Sequence, residues 1–453
     1  MKKIFLRGIG RREFLKASLS GLALATLPKI SFAQSNPDVV VIGAGSAGLS
    51  ASAELVRRGI SFVCIEGMNR IGGRCYTDMS TFGVPADHGA HWLHGHKQNE
   101  IAIFGKKHKD KFKIYKEPDR SVVYDGKTKV NENKLWKIYK KIEKIREATS
   151  SDKPFMDLLP EKIKKNDWFD TAHKASMARD FGEFSTYDDN NNWYDPGWDS
   201  GNALCREGYG TLLAYYRKDV PVKLNTIVSE IKWGGQGVQV VTNKGTINAK
   251  ACIVTVSAGV LKAEKIKFTP DLPLRNREAL ESVSMTVSNR VLMQLKKKFY
   301  GKFKNDTNFY IKCNSNGAKS PETISYGLLK MSGTNVSLFG ISGQFSKDLE
   351  NEGSEAMIDF VLNKLKSTFG SKFYEKYFIK AIATGWANNP FTLGAYSGGV
   401  PGKSKKRRDI KLPVGDRIFF AGEATAGAFS TVHGANRSGI RAATDLYISS
   451  ALD

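Results

Sequence analysis

Three glycines in the run Gly43-Ala44-Gly45-Ser46-Ala47-Gly48 keep the spacing Gly-x-Gly-x-x-Gly, and a carboxylate, Glu66, follows downstream. If the run binds a dinucleotide, each residue has its own task. Gly43 permits a tight turn, Gly45 lets the backbone approach a pyrophosphate, and Gly48 allows a helix to pack close to a strand. The helix N-terminus then receives the phosphate charge, and Glu66 accepts hydrogen bonds from a ribose hydroxyl pair. A second concentration of chemistry follows, where His88, His91 and His94 surround Gly89 and Ala90. A nearly neutral imidazole can accept a proton or hydrogen-bond an amine. His433 competes for the same role.

The glycine spacing means little unless a strand precedes it and a helix follows. Asp38 to Ile42 is a short apolar, β-branched run, as expected of a strand buried on both faces. Leu49 to Arg58 reads as a helix ending at Gly59, and Ser61 to Glu66 as the next strand, which completes one βαβ unit. From Glu100 to about Asp180 the chain becomes Lys-rich with amphipathic helical spacing, an inserted helical subdomain. Tyr187 to Ser200, rich in Asp, Asn, Gly and aromatics, reads as a loop. Strand patterns return at Thr226–Trp233, Gly237–Thr242 and Ala251–Val256. Ser288–Leu295 and Asn335–Ile341 read as strands of a second sheet. The strand Arg417–Ala421, a loop and the helix Ala435–Ile448 close the chain. The pattern predicts an α/β fold. Its Rossmann-like domain is discontinuous (34–95, 201–270 and 401–453) and interleaved with a mixed-sheet and helical substrate domain (96–200 and 271–400).

With 453 residues and 41% hydrophobic composition the chain can bury a large core. Residues 1–33 stand apart from it. Arg11-Arg12-Glu13-Phe14-Leu15-Lys16 is a twin-arginine sequence, the apolar run Ala17 to Leu27 is too short for a bilayer, and Ser31-Phe32-Ala33 offers a cleavage site. That route exports folded proteins, which suits an enzyme that loads its cofactor in the cytoplasm. Export to the periplasm or beyond is the expectation. Cleavage would lower the net charge from +24 to +18. The remaining cations are scattered along the chain, which argues against nucleic-acid binding. They leave room for peripheral contact with anionic lipid or an acidic protein. Five cysteines form no C-x-x-C pair and no ligand cluster, so neither a full disulfide framework nor a metal is expected.

The fingerprint does not by itself separate one dinucleotide from another. Glu66 to Arg74, however, has the form E-x-x-x-R-x-G-G-R, with Arg70 and Arg74 as its arginines. Together with Gly89-Ala90-His91-Trp92-Leu93-His94-Gly95 and Ala421-Gly422-Glu423-Ala424-Thr425, it resembles the flavin-containing amine oxidase family. The likeness runs from Asp38 to Ala443. Thr431-Val432-His433-Gly434-Ala435 and Val254 to Lys262 bring it closest to the polyamine oxidase and histone lysine demethylase branches. The resemblance implies FAD, with Arg70 and Arg74 against the pyrophosphate, Val228 at the adenine and Glu423 at the ribityl or pyrophosphate region. Gly89 and Ala90 would pass close to the isoalloxazine, with Trp386 packed nearby, and Thr431-Val432 would start a helix facing the pyrimidine end. It implies oxidation of a primary or secondary amine by hydride transfer, with dioxygen or a periplasmic carrier as the final acceptor. Tyr396 would be one wall of an aromatic cage and His94 a group at the substrate channel.

Three departures qualify this. Monoamine oxidases attach flavin through a cysteine before the cage tyrosine. Here that residue is Ala395, so the FAD should be non-covalent. Their second cage tyrosine is matched by Thr431. Where the family carries a lysine that holds a water beside the flavin, Ser288-Asn289-Arg290-Val291 puts Arg290, which cannot give up its proton. Lys262 remains an alternative source of an amine. Other readings stay open: an amino-acid oxidase clamping a carboxylate with Arg206 or Arg290, a desaturase of an apolar substrate, and a flavin-stabilised binding module.

Overall fold

The computed structural model describes residues 36–176, 183–313 and 322–452. The twin-arginine segment lies outside the described residues.

The βαβ reading places the core of the first sheet. Val39–Ile42, wholly buried, pairs in parallel with Phe62–Ile65 on one side and Ala251–Val254 on the other. Ile418–Phe420 and Val222–Lys223 complete an all-parallel sheet of five strands. Strands buried on both faces are near-continuous runs of apolar residues, and these are. The helix Ser46–Arg57 returns over one face and the C-terminal helix Val432–Ile448 lies beside it. Leu49, Ala51 and Leu55 share a core with Ala442, Ala443 and Leu446. The two helices touch so closely that a Cβ on Gly439 would stand 2.0 Å from the Ala47 carbonyl oxygen.

A four-stranded sheet runs Gly245–Ala249, Val238–Thr242, Val228–Lys232, Lys267–Thr269. A third sheet of seven strands, mostly antiparallel, is built around Ser288–Leu295 paired with Val336–Ser342. Helix Ser354–Phe369 covers one face of it, setting Val361, Leu362 and Leu365 against Val291, Met293 and Leu295.

The segment read as an inserted helical subdomain carries strands as well. Helix Asn133–Ala148 buries Leu135, Ile138 and Ile142, but Ile114–Lys116, Ser121–Asp125 and Thr128–Val130 come before it. The last two form a hairpin closed by Gly126 at φ 57°, and they extend the seven-stranded sheet. Asp125-Gly126 is a hairpin signal that the surrounding lysines obscured. The loop read at Tyr187–Ser200 contains a π-helical turn, Asp188–Asn192, and a short 3-10 turn, Trp198–Ser200.

Candidate active site

Backbone geometry builds the turn after Val39–Ile42. Gly43 has φ 104°, and a Cβ there would lie 2.6 Å from the Thr255 hydroxyl. A Cβ on Gly48 would stand 1.8 Å from the Gly43 carbonyl oxygen, so helix and strand could not meet. Gly45 is different. Its φ of −74° suits any residue, and a Cβ there meets nothing within 4 Å. Among the described residues no neighbouring atom accounts for this glycine, whereas a ligand lying on the turn would.

Two further features fit a dinucleotide. The Ser46 hydroxyl donates to the Val432 carbonyl at 2.8 Å, drawing together the N-termini of helices Ser46–Arg57 and Val432–Ile448. Two positive helix ends side by side favour an anion. Thr431 caps the second helix, accepting from the Gly434 N–H at 3.0 Å and donating to the Ala428 carbonyl at 2.7 Å. Below the turn, Glu66 accepts the Ala44 N–H at 2.7 Å and the Met68 N–H at 2.8 Å. Each carboxylate oxygen keeps a second lone pair for a hydroxyl. Val228, buried at the head of its strand, lies two residues past Thr226, whose N–H donates to the Glu66 carbonyl at 2.8 Å.

The two arginines diverge. Arg70 donates to the carbonyls of Ile71 (3.3 Å) and Gly73 (2.8 Å) and stacks 4.1 Å from the Tyr76 ring centre, tying up its own loop. Arg74 reaches across the fold to the Ala395 carbonyl at 3.0 Å and to Glu423 at 2.9 Å. Glu423 is a buried hub. It also accepts the Ser397 hydroxyl at 2.6 Å and the N–H groups of Ser397 (3.2 Å) and Ser430 (3.1 Å). Burial pushes its carboxyl upward, but the charges of Arg74 and Arg407 and the hydrogen bonds hold it below the usual range. Arg407, itself buried, pairs with Asp188 at 2.6 Å and donates to the Ser397 hydroxyl.

Strand alternation aims Arg290. Val291, Met293 and Leu295 enter one core, so Arg290 and Leu292 face the other side, where Leu292 packs against Phe82 and Ala86. There the Arg290 guanidinium donates to the Gly89 carbonyl, to that of Asp87 at 3.4 Å and to the Tyr326 hydroxyl at 3.2 Å. It also lies 5.5 Å from the Trp92 ring centre. Gly89 can carry no side chain, because a Cβ would stand 1.8 Å from the Arg74 carbonyl oxygen and 3.3 Å from the Trp386 ring. The Ala90 N–H donates to that Arg74 carbonyl at 3.1 Å. Gly89, Ala90, Arg74, Trp386 and Arg290 are thus brought together. Tyr396 stands between Ala395 and Ser397, the residues tied to Arg74 and Glu423. Its carbonyl accepts the Thr286 N–H at 2.7 Å.

His94 lies at the far end of the same loop, its Nδ1 2.8 Å from Asn202 Oδ1 and its ring 5.3 Å from that of Trp198. The competing histidines have structural partners. His91 sits 2.7 Å from Asp87, His433 sits 2.8 Å from Asp195, and both are buried. His88 lies 3.7 Å from Asp78, and burial lowers its pKa. Lys262 donates to the Val283 carbonyl at 2.9 Å and lies 3.6 Å from Glu281, so it does not stand in for Arg290. Arg206 is exposed.

Several residues at the site went unread in the sequence. Asp87 ends the strand Ala86–Asp87 and meets His91 across a non-helical turn, so its spacing gives no signal. Glu117, Asn202, Tyr326 and Arg407 carry no local signal, since their partners lie far along the chain.

The sheet and turn are those of a dinucleotide-binding α/β protein, and comparison with known proteins makes it a flavin oxidoreductase. The family described as flavin containing amine oxidoreductase matches residues 169–447, and an NAD(P)-binding Rossmann-like domain matches residues 41–104. The chain belongs to the flavin containing amine oxidoreductase family. It is similar to polyamine oxidase 4 of Oryza sativa subsp. japonica, 29% identical over 94% of this chain and 91% of that protein. Polyamine oxidase 3 of the same plant is 30% identical, over 90% of this chain and 89% of the relative. Among solved structures, putrescine oxidase bound to putrescine has the same fold, with a TM-score of 0.70 at 19% identity. The match covers 91% of this chain and 99% of that one. The cofactor of the family is a flavin, and the turn, paired helix ends and Glu66 fit FAD.

Proposed function

We propose that the protein oxidises a primary or secondary amine, of polyamine or related alkylamine type, to an imine that hydrolyses to an aldehyde. Bound FAD supplies the hydride acceptor. Gly43, Gly45, Gly48, Glu66 and the two helix N-termini hold its dinucleotide end. Arg74, Glu423, Gly89, Ala90 and Trp386 frame the other. Tyr396 aligns the amine and disfavours water, and His94 receives a proton or hydrogen bond from the substrate nitrogen.

One observation favours an amine over an amino acid. Of the two arginines available to clamp a carboxylate, Arg206 is exposed and Arg290 is engaged by Gly89, Asp87 and Tyr326. The names of the similar proteins, polyamine oxidase and putrescine oxidase, point the same way. The test is anaerobic mixing with a panel of polyamines, monoamines and amino acids. Polyamines should bleach the flavin absorbance fastest, and bleaching by amino acids alone would reverse the reading.

The flavin is held without a covalent bond, since Ala395 precedes Tyr396 and no cysteine follows Cys313. Acid precipitation should leave a white pellet and a yellow supernatant; a yellow pellet refutes this. We also propose export by the twin-arginine route, with reoxidation by dioxygen or a periplasmic carrier.

A further inference from the structure

We propose that Glu117 is a positioning residue for His94. It orients the Asn202 amide so that His94 carries a proton on Nδ1, which makes Nε2 the nitrogen that gains and loses a proton. The inference deepens the amine-oxidation reading and rests on it for the use made of His94.

The argument is one of donors and acceptors. The two oxygens of Glu117 each face a nitrogen. Trp92 Nε1 lies 2.8 Å from Oε1, and Asn202 Nδ2 lies 2.8 Å from Oε2. An indole N–H only donates and an ionised carboxylate only accepts, so the amide must turn its NH2 to Glu117. Its oxygen is thereby left toward His94, and Oδ1 has no proton to give. At 2.8 Å from Oδ1, His94 Nδ1 must be the donor.

Backbone pairing holds the three segments in this register. The Glu117 N–H donates to the Asn202 carbonyl at 3.0 Å, Leu93 and Ala203 exchange hydrogen bonds in both directions, and Ile114–Lys116 pairs with Ala203–Cys205. Because Trp92 lies beside the Arg290 guanidinium, the same carboxylate also steadies the ring on which that cation rests. Glu117 touches neither substrate nor cofactor in this scheme. It acts through Asn202.

The test reads the tautomer directly. Protein labelled with 15N-histidine is titrated by NMR, with His94→Gln identifying the His94 signals. The neutral imidazole should carry its hydrogen on Nδ1, and Nε2 should show the titration. A neutral form protonated on Nε2 overturns the proposal. Glu117→Gln preserves shape, but its one oxygen is taken by the Trp92 N–H, so an NH2 faces Asn202, whose amide turns, and His94 should shift toward the Nε2–H tautomer. Loss of the negative charge should also lower its pKa. In anaerobic flavin reduction the acidic limb of the pH profile should move to lower pH, with the plateau down about tenfold. A single unchanged Nδ1–H tautomer in Glu117→Gln overturns the proposal. If that variant does not fold, the wild-type tautomer decides. Failure of every amine to bleach the flavin defeats the functional reading and leaves the tautomer measurement standing.

Discussion

Arg290 shows how much one side chain can do where a shorter cation would not reach. Its planar head binds two carbonyls and a phenol hydroxyl at once, beside an indole. An ammonium group is compact and strongly hydrated, so a lysine would give up most of these contacts and draw a water into the space. We therefore expect Arg290→Lys to speed reoxidation by dioxygen about tenfold while anaerobic reduction by amine changes little. Stopped-flow measurement of both half-reactions checks this. Abolished reduction would instead make Arg290 a substrate ligand and bring the amino-acid reading forward. Asp195 tests another residue-scale claim. Burial pushes its carboxyl up, but the hydrogen bond and charge of His433, the Gly197 N–H and Arg437 outweigh this and draw it down to about 2 from the usual 3.8. A depressed carboxylate stabilises the fold fully above its unfolded value and loses that contribution as pH falls through its folded value. The stability lead of wild type over Asp195→Asn in urea should be full above about pH 4 and shrink toward pH 2. A lead that is constant across that window would remove Asp195 from the account.

At the scale of elements, the glycine turn divides into a part that the fold needs and a part that a ligand needs. Gly48→Ala forces a Cβ to 1.8 Å from the Gly43 carbonyl oxygen and should cost about 3 kcal/mol or more of stability even in apoprotein. Gly45→Ala enters open space with acceptable φ, so apoprotein stability should stay within about 0.5 kcal/mol. FAD affinity should nevertheless fall at least about tenfold, a loss of 1.4 kcal/mol. Apoprotein melting and fluorescence titration with FAD separate the two. Equal stability losses in both variants would mean that Gly45 serves the chain alone. The same turn explains what the sequence disclosed. Gly43 and Gly48 answer to a local backbone shape, and Gly45 and Glu66 keep a fixed spacing from them, so that spacing carries the message, and the segment Ser288–Leu295 was legible as a strand from its own residues. Glu117 and Asn202 could not be read this way. Their partners are set by the pairing of Ile114–Lys116 with Ala203–Cys205, between segments some ninety residues apart, and the first of these strands lay inside a stretch whose lysines suggested helix.

The whole molecule carries a net charge of +24, or +18 without residues 1–33. A field of that sign steers acidic partners at low ionic strength and is screened by salt. If a carrier reoxidises the flavin, transfer to an acidic cytochrome should slow several-fold between about 20 mM and 0.5 M salt, while reduction by amine stays constant. A salt-independent rate would sever charge from electron delivery. The sheet around Val39–Ile42 has a different consequence, one of timing. Its outer strand Ile418–Phe420, the Glu423 hub and the helix whose first turn meets Ser46 all come from the last tenth of the chain. During synthesis the glycine turn leaves the ribosome early, but half of its cradle does not yet exist. The two helix N-termini stand side by side only once Val432–Ile448 has docked against Ser46–Arg57. A site assembled in this way would report, by holding its cofactor, that two segments nearly four hundred residues apart had met.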